Sequence, residues 1–218
     1  MTLLLILTLG LGVVTARAEQ GSASARRWDF EDGQENGTPS GFSFARTGRG
    51  RLGRWVVTTE TDEPSGSHVL AQLDADATDF RFPIAVANEP LLADLRLSVR
   101  CKPVSGDVDQ ACGLVFRYQD ENNYYITRAN ALEQNVRLYR VVNGNRQQLA
   151  NGSGAVTSGA WHELRVEAQG DHFSVSWDGK EIIDAHDQTF PNAGRIGLWT
   201  KADSVTQFDD LKVEPREP

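Results

Sequence analysis

Short runs in which apolar and polar residues alternate recur about every ten residues along the chain, and Gly, Asn and Asp separate them. A period of two is typical of half-buried β-strands, whereas an amphipathic helix repeats every 3.6 residues. This pattern predicts an all-β protein. We predict strands at Arg27–Glu31, Trp55–Thr59, His68–Gln72, Asp94–Lys102, Gly113–Gln119, Tyr124–Ala129, Val136–Val142, Trp161–Ala168, Phe173–Trp177, Lys180–Ile183, Gly194–Thr200 and Thr206–Val213.

Turn residues mark the points where these strands reverse. Asn143-Gly144 follows a strand-like run directly and favours a tight hairpin turn, because both positions tolerate positive φ. The segment from Gly33 to Gly53 is rich in Gly, Ser and Thr, and we predict a long surface loop there. No low-complexity linker divides the rest, so we predict one domain over residues 19–218.

The N-terminus carries an apolar run from Leu3 to Val14, followed by small residues at Ala16 and Ala18. This order is typical of a secretory signal peptide, which we place at residues 1–18. The run is shorter than the 20 or so apolar residues that a membrane-spanning helix needs. We therefore predict an exported protein, located in the periplasm or outside the cell and not inserted into the membrane.

The chain is acidic, with a formal net charge of −8. Nucleic acids and anionic membranes attract clustered cations, and the sequence contains no basic run. We therefore expect neither as a partner, and we expect a monomer.

The two cysteines, Cys101 and Cys112, lie on either side of a turn-rich stretch at Ser105-Gly106-Asp107. In an oxidising compartment they are expected to form a disulfide between neighbouring strands. The alternative is a pair of free, buried thiols.

Three segments resemble known sandwich domains. Laminin-G-like and concanavalin-A-like domains are resembled by two segments, the one from Trp161, WHELRVEAQGDHFSVSWDGKEIIDA, and the one from Gly194, GRIGLWTKADSVTQFDDLKV. The third segment resembles a bacterial exported family described as 3-keto-disaccharide-hydrolase-like or family-16 glycoside-hydrolase-like. It begins at Gly113 and reads GLVFRYQDENNYYITRANALEQNVRLYRVVNGNRQQL. The resemblance implies a concanavalin-A-like, two-sheet antiparallel jelly-roll sandwich that interacts with carbohydrate.

The family-16 description implies two Glu and one Asp on a single strand, and no such strand occurs in this sequence. Glu163 and Glu167 share a predicted strand face. They lie four residues apart, about 13 Å, whereas the two known glycosidase geometries need about 5–10 Å. The sequence therefore does not support paired-carboxylate hydrolysis.

Alternation predicts that one sheet face is exposed and decorated with rings and polar groups. We expect Leu114, Phe116, Tyr118, Tyr124 and Ile126 to point inward. Rings and bidentate polar groups together suit sugar recognition. The predicted ligand-binding residues are Arg117, Tyr125, Asn130, Asn135, Arg137, Tyr139 and Trp199. The alternatives are that Trp199 belongs to the core and that the polar residues form an ordinary solvated face.

Catalysis on a 3-keto sugar is a second hypothesis, which rests on the resemblance. Elimination from such a sugar needs one base and one group that stabilises an enolate. We predict Glu133 or Asp203 as the base and Arg128 or Lys201 as the stabilising cation. The alternative for Arg128 and Glu133 is a structural ion pair.

Acidic residues near both ends of the mature chain indicate a structural Ca²⁺ site. Asp29 and Glu31 lie early, and Asp209 and Asp210 lie late. The terminal strands of a jelly roll are neighbours, and Ca²⁺ prefers oxygen ligands. The alternative is a set of acidic edge residues that discourage strand pairing.

Three functions remain open at this point. Glycan binding ranks first, a hydrolase or lyase acting on 3-keto glycosides ranks second, and a laminin-G-like protein-interaction domain ranks third. The missing carboxylate pair places binding ahead of catalysis.

Overall fold

The computed structural model describes residues 24–62 and 66–217. That part of the chain contains fifteen strands and no helix, which confirms the predicted all-β class. The predicted signal peptide at residues 1–18 lies outside the described residues. The strands are β1 (Arg26–Trp28), β2 (Phe42–Gly48), β3 (Trp55–Thr59), β4 (His68–Gln72), β5 (Arg81–Ala87), β6 (Leu95–Ser105), β7 (Ala111–Asp120), β8 (Asn123–Asn130), β9 (Asn135–Val142), β10 (Asn145–Ser153), β11 (His162–Gln169), β12 (His172–Trp177), β13 (Lys180–His186), β14 (Arg195–Trp199) and β15 (Val205–Pro215).

Two antiparallel sheets form the sandwich. The first sheet has the order β13-β12-β11-β6-β15-β4-β3, with β1 also paired to β15. The second sheet has the order β10-β9-β8-β7-β14-β5-β2. The chain passes from one sheet to the other several times, as in a jelly roll, so the predicted architecture is confirmed.

Three of these strands lie outside the predicted set: β2, β5 and β10. β2 falls in the segment that was predicted to be a long loop. Every residue of β5 is buried, so its sequence, RFPIAVA, shows no polar alternation. β10 is a polar edge strand, because most of its side chains face solvent. The Asn143-Gly144 turn between β9 and β10 has positive φ at both residues, as predicted.

The main core fills the space between the sheets. Val99 and Phe173 of the first sheet and Leu114, Phe116 and Tyr125 of the second sheet all belong to it. The Phe116 ring contacts the rings of both Tyr125 and Phe173, with centroids 5.3 Å and 5.4 Å away. Burial of these large rings stabilises the packing of the two sheets.

A second apolar cluster covers the other face of the second sheet, which we call the concave face. Its members are Phe82, Ile84, Val86, Ala111, Val115, Tyr118, Tyr124, Ile126, Tyr139, Val141 and Trp199. Four strands separate β10 from β5, which places them about 24 Å apart in a flat sheet. The guanidinium of Arg146 on β10 nevertheless lies 4.6 Å from the ring centroid of Phe82 on β5. The sheet therefore curls strongly and buries its own outer face.

The curl and one bulge reverse several of the predicted side-chain orientations. Tyr124 and Ile126 lie on the concave face, and Tyr125 lies in the main core, which is the opposite of the prediction. Strand β7 shifts register after Phe116, and this moves Tyr118 to the concave face as well. Apolar side chains occupy both faces of the second sheet, so alternation alone could not distinguish the inner face from the outer one.

Cys101 of β6 and Cys112 of β7 form a disulfide, as predicted. The two strands belong to different sheets, so the bond joins the sheets and does not bridge neighbouring strands. Both residues are fully buried.

Candidate functional site

A cluster of polar residues lies where several strands of the second sheet begin or end. The register pairs Ala111 with Asn130, Asn130 with Asn135, and Gly113 with Trp199, so the adjoining loops meet at this end of the sheet. We call this group the polar cluster, and its members are Asp109, Arg128, Asn130, Glu133, Asn135, Arg137 and Lys201. The structure thus brings together most of the catalytic and polar ligand-binding residues that the sequence predicts.

Glu133 is the centre of the accessible half of the polar cluster. Its Oε2 atom lies 2.8 Å from Nη2 of Arg128, 3.0 Å from Nη1 of Arg137 and 3.2 Å from Nδ2 of Asn135. About a third of each of the Glu133 and Arg137 side chains is exposed, whereas Arg128 is buried beneath them. Partial burial acts to raise the pKa of Glu133. The charge of Arg128 and the hydrogen bonds from Asn135 and Arg128 outweigh this effect and hold the pKa below its ordinary value.

This environment keeps Glu133 ionised at neutral pH. The carboxylate can accept hydrogen bonds from a ligand or take up a proton, but it does not supply a proton. Arg128 and Glu133 form an ion pair, which was the alternative to their predicted catalytic roles.

Asp109 is the centre of the buried half of the polar cluster. The side chains of Lys201 and Asn130 both donate to its carboxylate, which is 1% exposed. Burial raises the pKa of Asp109, and the Lys201 ammonium opposes that shift. Because Lys201 is committed to Asp109, it is not a free cation for a substrate. Asp109 is not among the residues predicted from the sequence, because it lies in a turn-rich stretch with no recognisable motif.

Asn130 forms the turn that presents Glu133. Its Oδ1 accepts the backbone N–H groups of Leu132 at 2.9 Å and Glu133 at 3.2 Å. The side chain is fully buried. The structure therefore argues against the predicted role of Asn130 as a direct ligand contact and gives it a supporting role.

The aromatic residues predicted to stack on a ligand are packed inside the protein. Trp199 is fully buried and stacks on Phe82 with ring centroids 5.2 Å apart. Tyr139 is 4% exposed. The Arg146 guanidinium covers these rings, 4.5 Å from the centroid of Tyr139 and 5.7 Å from that of Trp199. The prediction that Trp199 and Tyr139 form an exposed sugar platform is wrong, because the curl of the sheet closes over them.

Arg117 is also buried rather than exposed. It sits in the β7 bulge with a φ of 48°, and its side chain turns toward surrounding loops. Its nitrogen atoms donate to the backbone carbonyls of Ala93 at 2.8 Å, Phe190 at 3.0 Å and Gly170 at 2.7 Å. The predicted position of Arg117 on an exposed sheet face is wrong, and its side chain instead joins three loops.

Tyr125 likewise supports structure and does not face solvent. Its hydroxyl donates to Oδ1 of Asp187 at 2.6 Å and accepts the backbone N–H of Phe190 at 3.1 Å. Burial raises the pKa of Tyr125 to about 12. The predicted outward orientation of Tyr125 is therefore wrong, since the ring belongs to the main core.

Asp203 is committed to the backbone. Its carboxylate accepts the N–H groups of Asp107 at 2.7 Å, Val108 at 3.0 Å and Asp109 at 2.9 Å, and the residue is 6% exposed. A carboxylate with its lone pairs occupied in this way is not available as a catalytic base. The geometry therefore argues against Asp203 and leaves Glu133 as the accessible carboxylate of the predicted pair.

The acidic residues predicted to bind Ca²⁺ are drawn into other contacts. Strands β1 and β15 are neighbours, as expected, and Arg27 forms ion pairs with both Asp29 and Asp210. Glu31 accepts the backbone N–H groups of residues 67 and 68, and Asp209 is fully buried. Among the described residues, no three of these carboxylates bring oxygen atoms within 4.8 Å of one another. The arrangement does not form a calcium cage, and calcium binding stays a prediction.

Residues 23–214 match the model of the 3-keto-alpha-glucoside-1,2-lyase-like domain. The chain belongs to this family. The matched range covers nearly all of the described residues of this lyase-like domain, including both sheets and the polar cluster. No helix long and apolar enough to cross a membrane occurs among the described residues.

A curated relative shares part of the sequence of this lyase-like domain. A levanase of Bacillus subtilis (strain 168) is 32% identical over 107 residues, which make up 48% of this chain. The match spans 15% of the levanase itself.

Two solved structures share the fold. The carbohydrate-binding module CBM66 from Bacillus subtilis has a TM-score of 0.65 at 22% identity, covering 83% of this chain and 98% of the module. A native glycosidic hydrolase has a TM-score of 0.59 at 14% identity, covering 89% of this chain and 97% of that one. At these identities the likeness shows the fold alone.

Proposed function

We propose that this lyase-like domain binds carbohydrate, and that the ligand contacts the accessible half of the polar cluster. The family, the levanase relative and the carbohydrate-binding module of the same fold all support a carbohydrate ligand. One structural observation carries the proposal. Glu133 is held ionised at the protein surface between two guanidinium groups.

Neighbouring sugar hydroxyls need both donors and acceptors at short spacing. Arg137 supplies donors, Glu133 supplies acceptors, and the Asn135 amide supplies both. Asn151 extends this polar surface, because its Oδ1 accepts from Nε of Arg137 at 3.0 Å. The groups already contact one another, so they are oriented before a ligand arrives, which reduces the entropy lost on binding.

Apolar contact with the sugar ring would come from two aliphatic side chains. Leu132 and Val108 are 48% and 49% exposed, and each adjoins a member of the polar cluster in sequence. The Asp109–Asn130 hydrogen bond holds together the two loops that carry them. In this proposal, Leu132 and Val108 provide the apolar contact that was predicted for Trp199 and Tyr139, whose rings are buried.

Calorimetry with levan, inulin, cellulose and xylan, after a glycan-array screen, tests this proposal. Arg137→Ala and Glu133→Gln are expected to weaken binding at least tenfold. Arg216→Ala is the matched control, because Arg216 is exposed and pairs with Glu167 on the other sheet. Absence of binding to every glycan, or equal binding by Arg137→Ala and the control, would reject the proposal.

Elimination from a 3-keto glucoside is the second candidate, which the family description favours. The ketone acidifies the C2 proton, and we infer that Glu133, the accessible carboxylate of the polar cluster, accepts it. The resulting enolate charge lies on the C3 oxygen, where Arg137 can stabilise it. Collapse of the enolate forms the C1–C2 double bond and breaks the C1–O bond, and the departing alkoxide takes up a proton.

A chromogenic 3-keto-glucoside distinguishes catalysis from binding. We expect Glu133→Gln to abolish chromophore release while the Arg216→Ala control keeps the wild-type rate. Equal rates for wild type and Glu133→Gln would remove Glu133 as the base. If neither protein releases the chromophore but the wild type binds a glycan, the protein binds carbohydrate without this catalytic activity.

We also propose that the protein acts after export. The predicted signal peptide and the disulfide between Cys101 and Cys112 both suit an oxidising compartment. Protein interaction of the laminin-G kind and the monomeric state stay predictions.

A further inference from the structure

Two histidines face each other across the hairpin at the edge of the first sheet. His172 of β12 is the direct partner of His186 of β13. Asp184 precedes His186 by two residues and so shares its face of the strand. Asp184 and His186 are exposed, whereas Ile183, which points to the opposite face of β13, is buried. The side chains of Asp184, His186 and the cross-strand partner His172 therefore lie on the outer face of the sheet.

One potential ligand atom from each of His172, Asp184 and His186 lies within 4.8 Å of the other two. Nε2 of His172 is 3.0 Å from Oδ1 of Asp184, and the two imidazole centroids are 4.9 Å apart. Two ligand atoms bound to Zn²⁺ at about 2.0–2.1 Å in a tetrahedron are roughly 3.4 Å apart. Small side-chain rotations therefore bring all three groups to ligating distance.

A fourth residue orients His186. Oδ1 of Asp171 lies 3.3 Å from Nδ1 of His186, and Oδ2 of Asp171 accepts from Gln188 at 2.9 Å. A carboxylate that accepts a hydrogen bond from one imidazole nitrogen keeps the proton on that nitrogen. The lone pair of the other nitrogen can then bind a metal ion. This arrangement is typical of histidines that bind metals.

We propose that His172, Asp184 and His186 bind one divalent transition-metal ion, with Zn²⁺ as the expected ion. Two imidazoles and one carboxylate suit Zn²⁺, whereas Ca²⁺ needs six to eight oxygen ligands. The remaining coordination position is open to water, because the site faces solvent. A bound ion joins β13, an edge strand, to β12. The site lies on the sheet opposite the polar cluster and does not depend on the carbohydrate proposal.

Calorimetry with ZnCl2 at pH 7.5 tests the site in protein purified without a histidine tag. We expect one ion per chain, and a higher melting temperature that a chelator reverses. His172→Ala and His186→Ala are expected to weaken binding more than tenfold. Asp171→Asn, which changes only the orienting residue, is expected to weaken it about tenfold.

His68→Ala is the matched control, because His68 contacts Glu31 and lies outside the group of three. It should bind Zn²⁺ as the wild type does. Circular dichroism checks that each variant is folded, which is expected because the replaced side chains are on the surface. The proposal is overturned if the wild type binds no Zn²⁺, or if the His172 and His186 variants bind as tightly as the control. In that case, the three residues form hydrogen bonds only.

Discussion

Oδ1 of Asp203 accepts the backbone N–H of Asp109 at 2.9 Å, across 94 residues of sequence. The same carboxylate accepts the two preceding N–H groups. The loop before β7 is therefore clamped to the loop after β14, and Asp109 is brought to Lys201. Gly106 opens this loop with a φ of 147°, and a Cβ there would lie 2.0 Å from the carbonyl oxygen of Asp109. This clamp explains why the polar cluster includes residues from such distant parts of the chain.

Asp203→Ala should destabilise the protein by about 2–4 kcal/mol, because three backbone N–H groups lose a charged acceptor. Urea unfolding measures the change. Glu181→Gln is the control, since Glu181 is exposed on β13, and we expect a change below about 0.5 kcal/mol. Equal stability of the two variants would show that the clamp contributes little.

The contribution of Asp203 should also depend on pH. Burial acts to raise its pKa, but the N–H groups of Val108, Asp107 and Asp109 outweigh burial and hold the pKa below its ordinary value. Because the unfolded pKa is about 3.9, the stabilisation is fully present above that pH and is lost as the pH falls through the lower, folded pKa.

The stability difference between wild type and Asp203→Ala should therefore shrink as the pH is lowered from about 5 to about 2. Urea unfolding across this range measures it. A difference that stays constant over the range would contradict the assigned direction of the pKa shift.

The disulfide should stabilise the fold by linking the two sheets. Cys101 and Cys112 are 11 residues apart, and closure of a loop of this size contributes about 2–3 kcal/mol. Cys101→Ala/Cys112→Ala should lose this amount in urea unfolding. Reductant should lower the stability of the wild type and leave the double variant unchanged. An equal effect of reductant on both proteins would rule out this assignment.

Trp199→Ala should act on stability and not through a lost sugar contact. The ring is fully buried against Phe82 and beneath Arg146, so its removal should destabilise the protein by about 3–5 kcal/mol. Leu91→Ala is the control, because Leu91 is 61% exposed. Thermal and urea unfolding measure both. If Trp199→Ala kept full stability but lost glycan binding, the closed state of the concave face would be contradicted.

Much of the fold was predictable because it depends on local order in the sequence. Alternation and turn residues located twelve of the fifteen strands. Two of the three strands that were not predicted lack apolar–polar alternation for a physical reason. β5 is buried on both faces, and β10 is a polar edge strand. β2 alternates, but it lies in a segment whose Gly, Ser and Thr content resembles a loop.

The site was less predictable, because it depends on the curvature of the sheet and on a bulge. Alternation placed Tyr125 outward and Tyr124 inward, and the structure reverses both. Glu133, Asn135 and Arg137 were predicted as site residues because they are polar and lie at or near a strand start, and the structure brings their side chains into contact. Asp109 and Arg146 were not found, since neither belongs to a motif or a predicted strand.

The all-β class, the succession of hairpins and the presence of one possible cysteine pair follow from the order of residues along the chain, because periodicity, turn chemistry and cysteine count are properties of neighbouring residues or of composition. The burial of both faces of the second sheet, and the polar groups that meet at its end, depend on contacts between distant segments. Those features arise when the sheet curls and closes over Trp199, and when Asp203 joins two loops that are distant in sequence.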